Sequence, residues 1–308
     1  MIAIPDLPAV RDRAAPVAGK PAAGVGVLVG ENKAGALHLT VAGLTLAAVA
    51  GGANLAGGTA TILSCGAILL LGLPHGALDM VALLGANSPG RATASYLALA
   101  GTMAALWWAM PGAALLLFFA VAIGHFGEDW PGPALIAHGG ALALLAAPLL
   151  LHRSEIDALF AVIAGPGAIP PLANALILVA PIAIAAGLTG CALLWRAERR
   201  MLAASSAAAL AGMVLLPPLA GFALSFGLFH SPRQFARGLG ALDARRAWRL
   251  PVTLASAAAI LLVAAIAWFA PSQPLSAGIV RGTFVALSVL TVPHMLLPLV
   301  LRSSRRLG

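Results

Sequence analysis

Residues 92–127 read ATASYLALAGTMAALWWAMPGAALLLFFAVAIGHFG, with no charged side chain between Arg91 and Glu128. A helix needs about 20 mostly apolar residues to cross a hydrocarbon layer, so this stretch is long enough for two. Met110-Pro111-Gly112 divides it, because proline lacks a backbone donor and its ring clashes with the preceding turn. Further charge-free windows follow the same pattern. Window 34–78 again holds two segments, broken near Gly51 to Gly58, and windows 130–152, 158–195, 201–232, 250–280 and 282–301 hold one each. The resulting fold class is all-α, a polytopic transmembrane helical bundle drawn from about nine candidate segments, with about eight crossings (seven to nine) expected. Residues 158–165 are too short to span and are followed by Pro166, Pro170 and Pro171, so they read as a surface or re-entrant piece.

Composition agrees with that pattern. Of 308 residues, 61% are hydrophobic and 9% charged, against roughly 25% charged in soluble domains. A water-soluble enzyme and a disordered chain are both excluded. The net charge of +8 does not point to nucleic acid, because the basic residues are grouped between apolar windows. Arg196, Arg199 and Arg200 form one group, Arg233, Arg237, Arg245, Arg246 and Arg249 another, and Arg302, Arg305 and Arg306 close the chain. Loops of this kind stay on the cytoplasmic side. Both termini are expected there, which requires an even number of crossings, and the segment 201–229 is expected to dip in and return at Pro217-Pro218. Three regions result: a polar tail over 1–34, cytoplasmic and poorly ordered; a transmembrane catalytic bundle over 35–301; and a short basic tail over 302–308. The tail over 1–34 has no early apolar run, so no cleavable signal peptide is expected. Cys65 and Cys191 have no paired spacing for a disulfide or zinc site. The expected location is the inner membrane, multi-pass, with the lipid bilayer as a partner.

Ionisable groups inside a membrane are costly and tend to mark function, and here they are few. PHGALD (74–79) and GHFGED (124–129) each place a His four residues before an Asp. On a helix that spacing puts both side chains on one face, and a metal-bound imidazole commonly gives its other N–H to a carboxylate. A single such pair also fits a self-neutralising helix end; two of them suit a metal site inside a bundle. FHSPRQ (229–234) and VPHM (292–295) bring His230 and His294 near the ends of other apolar windows. An all-imidazole set suits iron, zinc or copper. Phe126, Trp130, Phe226 and Phe229 lie close to these motifs and are candidate linings for an apolar substrate, although packing is the commoner role of any one aromatic. Two other readings stand beside a redox enzyme. One is a zinc metallohydrolase acting on a lipid, with Glu128 activating water. The other is a non-catalytic His-rich transporter or haem-binding membrane protein.

These four motifs, in this order, resemble those of the Brp/Blh family, the microbial membrane β-carotene 15,15'-dioxygenases. The resemblance extends from about His75 over most of the remaining chain. It implies a membrane-embedded nonhaem iron dioxygenase that cleaves the central 15,15' double bond of β-carotene, or a related carotenoid, with O2 to give two retinal molecules. Retinal suggests a rhodopsin as recipient. The implied cofactor is Fe(2+), and the resemblance carries over to His75, His125 and His230 as ligands. The family motif has a second His where this chain has Gln234. His294 is expected to complete the set, with weak ligation by Gln234 or a site of three His as the alternatives, and Asp79, Asp129 and Gln234 are expected to stand behind the ligands.

Overall fold

Proline determines where several helices begin. The computed structural model describes residues 58–72, 76–166, 169–241 and 274–306, and every regular element among them is helical. They belong to one compact unit, Ala42–Gly308. The expected tail over 1–34, most of window 34–78, most of window 250–280 and His75 lie outside the described residues, as does the end of the basic tail.

Helix α1 (Gly58–Ala67) continues into a π-helical segment, Ile68–Gly72, and α2 is Leu78–Leu84. Helices α3 (Pro89–Ala109) and α4 (Pro111–Gly127) both carry proline in the first turn, where its missing N–H would have had no partner in any case. Met110 between them has φ −144° and ψ 71°, outside the α region disfavoured before proline. The break expected in the opening stretch thus falls at that residue. Helix α5 (Ala134–Ala146) tightens into a 3-10 turn, Ala147–Leu150, and α6 (Arg153–Ala164) follows. The chain bends by 110° between them, so α6 runs across the bundle. It contains the piece read from sequence as surface or re-entrant.

Helix α7 (Ile169–Arg196) is the long partner of α5. Small residues let the two approach: a Cβ on Gly139 would lie 2.5 Å from the Cβ of Ala186. Close helix contact through small residues is the usual solution where the hydrophobic effect cannot separate protein from solvent. Helix α8 (Arg200–Leu215) ends at Leu216-Pro217, and α9 (Pro218–Leu224) lies back against it. Gly221 comes so near that a Cβ there would be 2.8 Å from the Gly212 carbonyl. This is the turn expected at Pro217-Pro218. Helix α9 runs into a second π-helical segment, Ser225–His230, then α10 (Ser231–Ala241), and α11 (Leu275–Arg306) closes the described chain.

The core forms where α1, α3, α4, α5, α6 and α11 meet, around Ile68, Trp107, Leu115 and Leu149. Trp107 on α3 donates its indole N–H to Ser288 on α11, so that buried polar atom is satisfied. Outward faces stay apolar, with Trp108, Leu135, Leu178 and Ile182 all exposed, a surface suited to lipid rather than water. Two described helices, over Pro171–Arg196 and Leu275–Arg302, are long and apolar enough to cross a membrane on their own. The bent pair Ala134–Leu150 and Arg153–Ala164 adds a broken span or a re-entrant loop, while α4 and α8 are shorter apolar helices. Helices this short are the result of proline breaks at positions 111 and 217.

Candidate metal centre and its apolar approach

Two π-helical segments sit against each other beneath the site. Such segments arise where an α-helix accommodates an extra residue, and they often present functional side chains. Here the fit depends on glycine: a Cβ on Gly72 would lie 1.9 Å from the Phe226 ring, and one on Gly227 would lie 2.9 Å from Leu71. Ser231 donates its hydroxyl to the Gly72 carbonyl at 3.0 Å. The segment 225–230 ends on His230, which is buried.

His125 lies in the last turn of α4, after which the chain leaves the helix through a turn over Glu128-Asp129-Trp130. Because the helix has ended, Asp129 does not stand above His125, and the pairing expected from the four-residue spacing does not form. Its carboxylate serves another segment: His230 donates from Nδ1 to Asp129 Oδ2 at 2.6 Å. Asp79 likewise pairs at long range, accepting from His294 Nδ1 at 2.8 and 2.9 Å through its two oxygens. Both Asp side chains are buried. The three imidazoles come together, the ring centre of His125 lying 4.5 Å from His230 and 5.0 Å from His294, nearly perpendicular to both. The Nε2 atoms of His125 and His230 are 2.9 Å apart.

Among the described residues, no three His, Cys, Asp or Glu side chains already converge as a complete metal-binding group. The donor chemistry nevertheless suits a divalent ion. The His125 and His230 Nε2 atoms, 2.9 Å apart, are close enough for both to reach one ion. Each carboxylate fixes the proton of its His on Nδ1, which leaves the Nε2 lone pair available. The two acids would also compensate the charge of a divalent ion.

A second ring of polar groups holds Asp129. Arg237 donates from Nη1 to its Oδ1 at 3.1 Å and from Nη2 to the Glu128 carbonyl at 3.2 Å. Gln234 donates from Nε2 to Asp129 Oδ1 at 3.4 Å and to Glu128 at 3.3 Å. Gln234 therefore turns its amide nitrogen to the carboxylates. On the other side, Tyr96 donates its hydroxyl to Asp79 Oδ2 at 2.8 Å. Sequence reasoning passed over Tyr96 and Arg237. The available signal for Tyr96 was its isolation: the chain has one tyrosine, a hydroxyl inside a charge-free window that needs a partner when buried.

The opposite face of the cluster is apolar. Phe226 stacks on His230 at 15°, and Phe126 meets it edge-on at 4.7 Å. His125 opens onto a small cavity lined also by Phe126, Phe226 and Thr291. Phe118, Ala122, Phe126 and Phe222 are shared with a larger cavity whose lining side chains are all apolar. Phe126 and Phe226 thus stand where a lining was expected. Trp130 and Phe229 line neither cavity. Trp130 fills a groove of small residues between α5 and α7, where a Cβ on Gly140 or Gly190 would lie within 2.8 Å of its ring.

A family model described as beta-carotene 15,15'-dioxygenase matches residues 66–302. The beta-carotene 15,15'-dioxygenase of the uncultured marine bacterium 66A03 is 28% identical over 253 residues, which cover 75% of this chain and 90% of that protein. No solved structure matches significantly.

Proposed function

Because this chain belongs to the β-carotene 15,15'-dioxygenase family, an enzyme family of carotenoid-cleaving oxidoreductases, we propose that it cleaves the central double bond of β-carotene with O2 at a nonhaem Fe(2+) held by His75, His125, His230 and His294. Family membership leaves no place for the transporter, haem-protein and lipid-hydrolase readings. The observation that carries the proposal is the junction of an entirely apolar cavity with an imidazole cluster backed by carboxylates. A hydrocarbon entering along Phe118, Phe126 and Phe222 meets His125 without crossing a polar wall. The only hydroxyl among the residues lining that junction is Thr291, and it donates to the Leu287 carbonyl of its own helix.

His75, His125, His230 and His294 would hold the iron, which would supply the electron transfer that the reaction of O2 with an alkene requires. Asp79 and Asp129 hold the protons of His294 and His230 on Nδ1 and so orient both rings. Gln234 steadies Asp129 rather than binding the ion. Phe126 and Phe226 fix the His230 plane and exclude water, and the rigid polyene is held so that one bond among many is presented. The overall change balances without a reductant: the double bond is broken, each of its carbons takes one atom of O2, and two retinal molecules leave. Apolar outward faces suit a multi-pass protein of the inner membrane, which also concentrates its lipid-soluble substrate.

Expression in a β-carotene-accumulating host, followed by pigment extraction, tests this reading. Loss of orange colour with accumulation of retinal is expected. Persistent β-carotene beside folded, iron-loaded protein overturns it.

A further inference from the structure

The crosswise helix α6 contributes Leu159 and, more deeply buried, Ile156, Phe160 and Ile163 to the larger cavity and nothing to the smaller one beside His125. Spacings of four and three residues put the last three side chains on one helix face, and all three are buried. The depth of the cavity follows from α4, which lines it from Phe126, next to His125, to Leu115. At 1.5 Å per residue that is roughly 16 Å, on the order of one arm of β-carotene measured from the central bond to its end ring. Phe160 packs edge-on against Phe119, ring centres 5.6 Å apart, and Phe119 is seven residues, roughly 10 Å, from Phe126. An inserted arm therefore meets the phenyl group of Phe160 about where the polyene gives way to the bulkier ring.

We propose that the α6 wall, with Phe160 as its main contact, is the stop that sets how far a carotenoid arm enters and hence which double bond reaches the metal centre. A symmetrical substrate does not define its own middle to an enzyme that grips one end. A fixed distance from stop to metal does. The chain bends by 110° between α5 and α6, and Phe160 of α6 closes on Phe119 of α4 within the cavity wall. This rests on the carotenoid-cleavage reading above and adds to it the residue that makes cleavage central.

The test is product analysis with purified enzyme. The wild-type protein yields retinal alone. In Phe160→Ala the arm slides about one or two double bonds deeper, and each off-centre cleavage still consumes one O2 but gives two carbonyl products of unequal length beside retinal, a methyl ketone and an aldehyde from the adjacent methyl-bearing double bond or two aldehydes from the one beyond it. Retinal alone from this variant overturns the proposal. Phe160→Trp shortens the cavity, so β-carotene turnover falls about 10-fold or more. β-Apo-8'-carotenal, whose shorter arm has no ring, remains a substrate. Unchanged turnover of both substrates by Phe160→Trp overturns the proposal, and so does loss of both, since a stop remote from the imidazoles leaves them intact. If the wild-type enzyme cleaves no carotenoid, the functional reading falls and takes the stop with it. If it cleaves centrally and either variant behaves as an overturning case, the stop alone falls.

Discussion

Asp79–His294 and Asp129–His230 are the same unit built twice, with different support. Asp79 is held by a neutral hydroxyl, Tyr96, reaching from α3 within the bundle. Asp129 is held by Gln234 and by Arg237, whose side chain is 49% exposed. The first pair is fixed by a hydrogen bond from a neutral donor, the second by a cation that ions in solution can screen. One carboxylate is thus supported without a charge, while the other is tied electrostatically to the protein surface.

The largest expected effect removes the contact that brings both sides into register. Gly72→Ala drives a methyl group into Phe226 and should cost about 3 kcal/mol, read as a lowered thermal unfolding midpoint in detergent together with lost iron. An unchanged midpoint would mean the π-helical segments are not tightly coupled. Next come the carboxylates. Asp79→Asn and Asp129→Asn should each weaken iron retention about 10- to 100-fold, measured by metal analysis after dialysis against a chelator. Equal losses would mean that the two supports carry the same weight.

The supports themselves then separate the two sides. Arg237→Ala should cost about 1 kcal/mol of metal binding at low salt and almost nothing at high salt. Tyr96→Phe should cost about 1 kcal/mol at any salt. Identical salt profiles for the two variants would mean that the neutral and the cationic support act alike. Gln234→Ala should have the smallest effect, because hydrogen bonds of 3.3 and 3.4 Å are long and weak at that length. Loss of all iron in that variant would make Gln234 a ligand after all.

The parts of this arrangement legible in the sequence are those governed by local chemistry. Pro111 and Pro217 announce their breaks because a missing N–H acts on the neighbouring turn alone. Four short His motifs stand out because charge is scarce around them. What could not be read is the pairing. His125 and Asp129 look like partners at four-residue spacing, but α4 ends at Gly127, and Asp129 finds His230 a hundred positions away. The π-helical segments leave no periodic signature, and Trp130 looks like a substrate wall until Gly140 and Gly190 are seen to make room for it.

The π-helical segment 225–230 also limits how the chain can change over evolutionary time. Each residue of a helix advances it by about 100° around the axis, and a π turn holds one residue more than the α turn it replaces. Deleting any single residue there would restore ordinary winding and swing His230 by about that angle, away from Asp129 and toward the neighbouring helices. Side chains in this stretch can be exchanged one at a time, but their number cannot. Comparison of related chains should therefore find substitutions in this segment and no insertions or deletions, with the residue count between Pro218 and His230 kept even where the residues themselves have drifted.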